Sequence, residues 1–431
     1  MIRKNQTTVF FGWWTVLVTG VVSGLGIGFY YYGISALFKA IALELELSRA
    51  ATSGATGIGT MVGFLMAPIT GWTVDKFGPR RIILISLFLI ITGLTLMNVI
   101  NSILAFYLVW GLLVGLGVNL GLTIAVDKAL TNWFIRKIGM AVGIKFALMG
   151  LISSLAIPAV AWLVSNIGWR MTCSTFAILL SIAIPFILIF VRDKRPEYYG
   201  LFPDGENNIP RSQIGSEPLF DRALSHEPSP RNNEFALSQA IRTKAYWILT
   251  VSFAVQAYFV VGFNTHCIPF LTEIGIDPIA AGGMMGFMIV FTIPSRFIGG
   301  LFADRVSKDR LNLLLPLPFI FLMIGVGAYL IHQSTFTVYL LLILYGIGHG
   351  LPAPLLVVII SRYFGRKAFG SILGTLFMFA SPAALSAPVL TGWLFDLTGD
   401  YMMAFDIFVL LSLITIFLLG FLKAPKPFLK T

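Results

Sequence analysis

The chain of 431 residues is 57% hydrophobic and only 11% charged, and it carries a formal net charge of +11. This composition excludes a water-soluble globular protein, because so many apolar residues with so few charges cannot form a hydrated surface. The positive charge does not indicate a nucleic-acid-binding protein, because the Lys and Arg residues stand in short groups between long apolar stretches.

Twelve apolar stretches follow one another along the chain, each with roughly the 20 residues that a helix needs to cross a bilayer. Backbone amides find no water inside lipid, so each stretch is expected to be an α-helix. The sequence therefore predicts an all-α membrane protein in contact with the lipid bilayer. The predicted spans are 12–38, 52–74, 81–101, 104–127, 138–165, 170–191, 245–271, 279–303, 311–332, 335–361, 368–394 and 402–422.

Groups of Lys and Arg fall on alternate connections between these spans. With the N-terminus in the cytoplasm, the positive-inside rule assigns all of these groups to that side of the membrane. Both termini are then expected to be cytoplasmic. The basic positions on this side are Arg3, Lys4, Lys76, Arg80, Arg81, Arg136, Lys137, Arg305, Lys308, Arg310, Arg362, Arg366, Lys367, Lys423, Lys426 and Lys430.

One long polar connection divides the chain. Residues 192–244 are rich in Pro, Ser, Asn and Glu, which predicts a flexible cytoplasmic linker between a first bundle of six helices, 1–191, and a second, 245–431. The halves also repeat each other. The segment GWTVDKFGPRR (71–81) matches GLFADR (300–305), and NWFIRK (132–137) matches RYFGRK (362–367). Parallel repeats of this kind build transporters whose halves rock about a central site.

The loop GWTVDKFGPRR resembles the signature loop of the major facilitator superfamily. This resemblance implies the major facilitator fold, with 12 transmembrane helices in two six-helix bundles. It also implies that Asp75, Arg80 and Arg81 are gating residues and that Asp304 and Arg305 form their second copy. The residues alone also allow an ordinary basic loop produced by the positive-inside rule.

Three further motifs resemble bacterial relatives of the monocarboxylate transporters and, more distantly, the oxalate/formate antiporters. They are FGWW (11–14), RPEYYGLFPDG (195–205) and GWLFDLTGDY (392–401). The resemblance implies a secondary active transporter of small organic anions in the cell (inner) membrane. A proton-coupled symporter of lactate- or pyruvate-like monocarboxylates, working by alternating access as a monomer, is expected. A dicarboxylate or oxalate/formate-type exchanger is the alternative.

Arg296 is the first candidate for the binding site. It precedes Asp304 by eight residues, which places it roughly 12 Å deeper in the membrane on the eighth span. An ionisable residue at this depth is a functional hypothesis by default, and a guanidinium fits a carboxylate through two hydrogen bonds. In the monocarboxylate transporters an arginine of the eighth helix binds the substrate carboxylate, and the resemblance implies this role for Arg296. The alternative is a structural arginine paired within the protein.

The sequence departs from the mammalian members of that family at two places. Their Asp one turn before the arginine and their Lys in the first helix correspond here to Thr292 and Ser35, so a Lys and Asp proton relay is not carried over. Lys145 of the fifth span is instead expected at a depth close to that of Arg296. It either flanks the substrate as a second cation or pairs structurally with Asp127, and both interpretations stay open.

Other polar residues on the spans are candidates for hydrogen bonds to the substrate or for proton coupling. His266 is either a proton carrier, together with Asp127, or a hydrogen-bonded histidine between helices. Tyr31 resembles a tyrosine of the family's first helix. The remaining candidates for substrate hydrogen bonds are Asn119, Tyr345 and His349.

The sequence does not predict an enzyme or a receptor. The four histidines are scattered, Cys173 and Cys267 lie in apolar runs, and no Gly-rich phosphate-binding loop is present. No cofactor, metal or nucleic-acid partner is therefore expected. A receptor would need a substantial soluble domain, whereas the longest connection is a polar linker.

Overall fold

The computed structural model describes residues 10–33, 37, 40, 41, 44, 45, 49–205 and 234–425. Some positions discussed above lie outside this part of the chain. They are Arg3, Lys4, Ser35 and the middle of the linker. In the described part the regular structure is helical, and its long helices have the length and apolar composition to cross a membrane. We number them α1 to α12.

The first half contains six of these helices. Their bounds are Phe11–Ile27 for α1, which continues as π-helical turns over Gly28–Gly33, Arg49–Phe77 for α2, Pro79–Leu96 for α3, Ile103–Trp133 for α4, 138–167 for α5 and 169–190 for α6. One residue, Gly168, separates α5 from α6. Its φ of 80° and ψ of 164° break the helix in a conformation that glycine adopts without steric cost.

The second half repeats this arrangement. Its helices are Lys244–Glu273 for α7, Pro278–Arg305 for α8, Leu317–Ile331 for α9, Thr335–Phe364 for α10, Phe369–Thr398 for α11 and Met402–Gly420 for α12. Several helices begin where the sequence supplies a cap: the Thr243 hydroxyl accepts from the Tyr246 amide, and the Ser334 hydroxyl accepts from the Thr337 amide. The prediction of an all-α protein with twelve spans is confirmed.

The halves meet along two pairs of helices, α2 with α11 and α5 with α8. Glycines make this contact close. A Cβ atom added to Gly139 or to Gly300 would collide with the backbone of the other, and the same holds for Gly71 and Gly370. These four glycines lie at the ends of the helices that are joined by the connections α2–α3, α4–α5, α8–α9 and α10–α11. We call this end of the protein the linker end.

Contact between α5 and α8 becomes looser away from the linker end. On α5, a Cβ atom on Gly143 would lie 3.1 Å from Phe297, and one on Gly150 would lie 3.3 Å from Ile293. Toward the opposite end of α8, added Cβ atoms on Gly282, Gly283 and Gly286 would meet none of the described residues within 4 Å. The closest described contacts between α5 and α8 therefore lie at the linker end.

Both described ends of the predicted linker pack against the helix bundles. The Asp204 carboxylate accepts hydrogen bonds from the backbone amides of Ile135, Arg136 and Lys137, at 2.9–3.2 Å. At the other end of the linker, the Glu234 carboxylate accepts from the Lys367 amide at 2.6 Å. Composition predicted flexibility for this segment, but residues 192–205 and 234–243 make specific tertiary contacts. The domain boundaries at 192 and 244 stay a prediction.

Candidate functional site

A buried ion pair joins α4 and α5. Lys145 lies seven residues into α5 and is 2% exposed, and Asp127 near the end of α4 is 6% exposed. The Lys145 ammonium lies 2.8 Å from the Asp127 carboxylate and 3.6 Å from the centre of the Phe146 ring. Each charge compensates the cost of burying the other. Of the two interpretations of Lys145, the structure therefore contains the pair with Asp127.

Arg296 lies near the same aromatic ring. Its guanidinium carbon is 5.4 Å from the centre of the Phe146 ring, and its charge acts on Lys145. Gly143 makes this proximity possible, because a Cβ atom there would lie 3.3 Å from the Arg296 carbonyl oxygen. We call Asp127, Lys145 and Arg296 the central charge cluster. The formal charges of these three side chains sum to one positive charge.

The polar residues of the first half form a pair. Tyr31 lies in the π-helical turns that extend α1, and Asn119 lies in α4 directly before a π-helical segment. The Tyr31 hydroxyl donates to the Asn119 side-chain oxygen at 3.3 Å, and the Asn119 amide nitrogen donates to the Gly115 carbonyl at 2.8 Å. π-Helical turns shift side chains out of the regular register and are frequent at functional sites.

Two candidate residues of the second half, Tyr345 and His266, are hydrogen-bonded within the protein. The Tyr345 hydroxyl donates to the Phe259 carbonyl at 3.2 Å, and its ring stacks on Phe263. The two ring nitrogens of His266 lie 3.2 Å from the Tyr401 hydroxyl and 3.0 Å from the Pro388 carbonyl oxygen. This geometry is that of a hydrogen-bonded histidine between helices. Among the described residues, its hydrogen bonds reach Tyr401 and Pro388 of α11 and do not reach the central charge cluster.

At the linker end, two carboxylates hold helix ends of the opposite half. Asp75, at the end of α2, accepts from the backbone amides of Gly370 and Ser371 in the first turn of α11, at 3.1 and 2.7 Å. Asp304, at the end of α8, accepts from the amides of Gly139 and Met140 in the first turn of α5, both at 2.7 Å. These amides have no acceptor within their own helix, and the helix dipole also favours a negative charge there.

A cation accompanies each of these carboxylates, and it is buried for Asp75 and half-buried for Asp304. The Lys128 ammonium lies 2.8 Å from Asp75 and also donates to the backbone carbonyls of Arg366 and Lys367 in the opposite half. The Arg362 guanidinium lies 3.5 Å from Asp304 and donates to the Ala303 carbonyl at 2.9 Å. Sequence reasoning missed Lys128, which lies outside the signature loop. The sequence does contain a signal for this residue, because a lysine so close to the apolar part of α4 is unusual.

The other predicted gating residues lie elsewhere at the linker end. The backbone amide of Arg80 donates to the Asp193 carboxylate at 2.9 Å, and the side chains of Arg81 and Arg305 are exposed. Within the described residues, no side-chain hydrogen bond or ion pair from these three arginines reaches the opposite half. The gating roles of Arg80, Arg81 and Arg305 stay predictions.

Two bundles of six membrane helices that enclose a buried charged cluster define a membrane transporter. The sequence pattern of the Major Facilitator Superfamily matches residues 16–326, and the chain belongs to this family. It is therefore a multi-pass membrane transporter and not an enzyme, as predicted, and the predicted fold class is confirmed.

Similar proteins include two monocarboxylate transporters and a nitrite extrusion protein. Monocarboxylate transporter 13 of Rattus norvegicus is 25% identical, with 91% of this chain and 85% of the relative covered. Monocarboxylate transporter 2 of Homo sapiens is 23% identical, covering 90% and 81%. The nitrite extrusion protein of Bacillus subtilis (strain 168) is 23% identical, covering 86% and 85%.

Solved structures of transporters share the fold. The human organic anion transporter MFSD10 (TETRAN) superimposes with a TM-score of 0.66 at 17% identity, covering 95% of this chain and 98% of that one. The proton:xylose symporter XylE superimposes with a TM-score of 0.69 at 14% identity, covering 96% of each chain.

The ion pair between Asp127 and Lys145 can be tested by a double-mutant cycle. We expect Lys145→Met to lower the free energy of unfolding by about 3–5 kcal/mol, because it leaves the Asp127 carboxylate buried without its cation. Lys145→Met/Asp127→Asn should recover most of this loss. Thermal and denaturant unfolding of the detergent-purified protein would measure both variants.

Arg195→Met is the matched control, because it breaks the pair with Glu234 at 3.4 Å, whose side chains are 38% and 27% exposed. Partly exposed pairs contribute at most about 1 kcal/mol. If the Lys145 variant were as stable as the control, the two central charges would not depend on each other.

Proposed function

We propose that this protein transports small organic monocarboxylates by alternating access, with Arg296 binding the substrate carboxylate. The observation that carries the proposal is the position of Arg296 beside an ion pair that already neutralises Lys145. The central charge cluster therefore offers one net positive charge to a ligand. One monovalent anion would make the cluster neutral, which favours its binding in a medium of low dielectric constant.

The relatives support this choice of substrate class. Two of them are named as monocarboxylate transporters, and the third as a nitrite extrusion protein, so all three names refer to small anions. The alternative function is exchange of dicarboxylates or of oxalate and formate. Such a substrate would need Lys145 as a second cation for the ligand, and while Asp127 is charged the contact of Lys145 with Asp127 argues against this.

Tyr31, Asn119 and Tyr345 are proposed to complete the binding site. Tyr31 and Asn119 approach from the first half and Tyr345 from the second. Because the closest contacts between α5 and α8 lie at the linker end, a substrate is proposed to reach the cluster from the opposite side. By the positive-inside rule this is the outer side of the cell membrane, with both termini in the cytoplasm.

The role of Arg296 predicts a specific pattern of ligand stabilisation. Lactate and pyruvate should raise the melting temperature of the detergent-purified protein, because a ligand that binds the folded state stabilises it. Sugars and amines should not, and succinate should do so less. Arg296→Gln should abolish the shift, whereas the exposed Arg305→Gln should retain it. An unchanged response of Arg296→Gln would remove this residue from the site.

We propose Asp127 as the site of proton coupling. A proton on Asp127 would remove the negative partner of Lys145 and leave two positive charges in the central charge cluster. Proton binding and anion binding would then strengthen each other, and this reciprocal coupling is what symport requires. His266 is the second candidate for the proton carrier, although both of its ring nitrogens have hydrogen-bonding partners.

Proton coupling can be measured with proteoliposomes that enclose a pH-sensitive dye. Lactate uptake by the wild-type protein should acidify the lumen, and a proton gradient should drive accumulation of lactate. Asp127→Asn should lose the response to the gradient, whereas His266→Gln should keep it if Asp127 carries the proton. Lactate uptake without any change of luminal pH would contradict symport and favour uniport or exchange.

The linker end is proposed to be the cytoplasmic gate, with Asp75 and Asp304 keeping it closed. Loss of either charge should favour opening, because hydrogen bonds to a charged group contribute about 1.5–3 kcal/mol. We expect Asp304→Asn to change the ratio of closed to open molecules by about tenfold, since 1.4 kcal/mol corresponds to a factor of ten.

Electron spin resonance distances between labels at the exposed positions 76 and 310 would measure this population. The exposed Asp309→Asn is the matched control, because Asp309 lies at the same end of the protein. Equal distance distributions in the Asp304 variant and the control would show that Asp304 does not hold the gate.

A further inference from the structure

His349 is a buried polar residue whose hydrogen bonding is incomplete. Among the described residues, its Nδ1 atom is withdrawn from solvent and has no hydrogen-bond partner. His266 provides an internal comparison, because both of its ring nitrogens are bonded. Buried polar atoms in proteins are nearly always paired, and an exception calls for a physical reason.

The position of His349 relates it to the central charge cluster. Its neighbour Gly350 packs closely against α8: a Cβ atom on Gly350 would lie 2.5 Å from the Thr292 carbonyl oxygen and would also collide with the Ser295 hydroxyl. Arg296 follows Ser295 directly, and its charge acts on His349. The histidine ring also meets the Tyr345 ring, with 6.0 Å between the centroids.

A structural role does not account for this arrangement. An imidazole that served only to connect helices would be expected to bond through its nitrogens, as His266 does. The positive charge of Arg296, one residue along α8 from the contact with Gly350, is also unfavourable for a purely structural histidine that can take up a proton. Both features become favourable when an anion lies against Arg296 and carries a hydrogen-bonding group next to its carboxylate.

We propose that His349 hydrogen-bonds the substituent on the carbon adjacent to the substrate carboxylate and so selects 2-hydroxy and 2-oxo acids. This inference rests on the proposed binding of a carboxylate by Arg296. A neutral imidazole has one donor and one acceptor nitrogen, so it can donate to a 2-oxo group and can also pair with a 2-hydroxyl group. An unsubstituted acid leaves Nδ1 without a partner and loses that hydrogen bond.

The test compares acids that share a three-carbon skeleton. Dissociation constants of lactate, pyruvate and propionate would be measured by calorimetry on the detergent-purified full chain. Wild-type protein should bind lactate and pyruvate about tenfold more tightly than propionate, the effect of one hydrogen bond to an otherwise unpaired buried group. His349→Phe should remove this preference and leave the affinity for propionate unchanged.

Two further variants separate specificity from structure. His349→Gln retains a donor and an acceptor and should restore part of the preference. His332→Phe makes the same substitution at an exposed histidine beyond the end of α9 and should behave like the wild type. Melting temperatures without ligand would be compared for all variants. The preference among acids is the ratio of their dissociation constants, calculated separately for each variant.

The outcomes distinguish this inference from the proposed function. Equal affinity of the wild type for lactate and propionate would overturn the role of His349, as would an equal loss for all three acids in His349→Phe. Binding of carboxylates that depends on Arg296 would still stand in both cases. If none of the acids bound the wild type, the proposed function itself would fail, and the role of His349 with it.

Discussion

The cost of placing charge inside an apolar bundle is the constraint on which this structure depends. Lys145 and Asp127 are almost fully buried and lie 2.8 Å apart, so each charge offsets the cost of burying the other. Arg296 adds a further positive charge near this pair. The result is a group of three charged side chains that lies where the two halves meet.

The same constraint explains the linker end. There the internal repeat yields two equivalent connections, because Asp75 and Asp304 each end one helix and accept from the first turn of another helix in the opposite half. The cations beside these carboxylates are not equivalent by sequence: Lys128 lies on α4 before the NWFIRK segment, whereas Arg362 begins the RYFGRK segment of α10. The two copies of the repeat therefore share the position of the carboxylate, but the residue that supplies the positive charge differs between them.

Much of the fold could be predicted from the sequence, because the length of an apolar stretch and the spacing of a loop motif are local properties. The twelve helices and the class of protein follow from them. The partner of Lys145 could not be predicted, since Asp127 lies 18 residues earlier on another helix and the contact depends on how α4 and α5 are rotated. For the same reason His349 was one candidate among several until its burial and its proximity to Arg296 were known. The functional roles of these residues stay predictions.

The positive φ of 61° at Asp204 belongs to a turn that presents its carboxylate to three consecutive backbone amides just before α5. The N-terminal region of α5 thus meets two acids of different origin, Asp204 from the connecting segment and Asp304 from the other half. In the proposed rocking motion, only Asp304 would withdraw from α5. Asp204 would stay with the half that contains α5, so the N-terminus of this helix would keep a counter-charge and only two amides would have to find water. The segment between the bundles would thereby lower the electrostatic barrier to rocking.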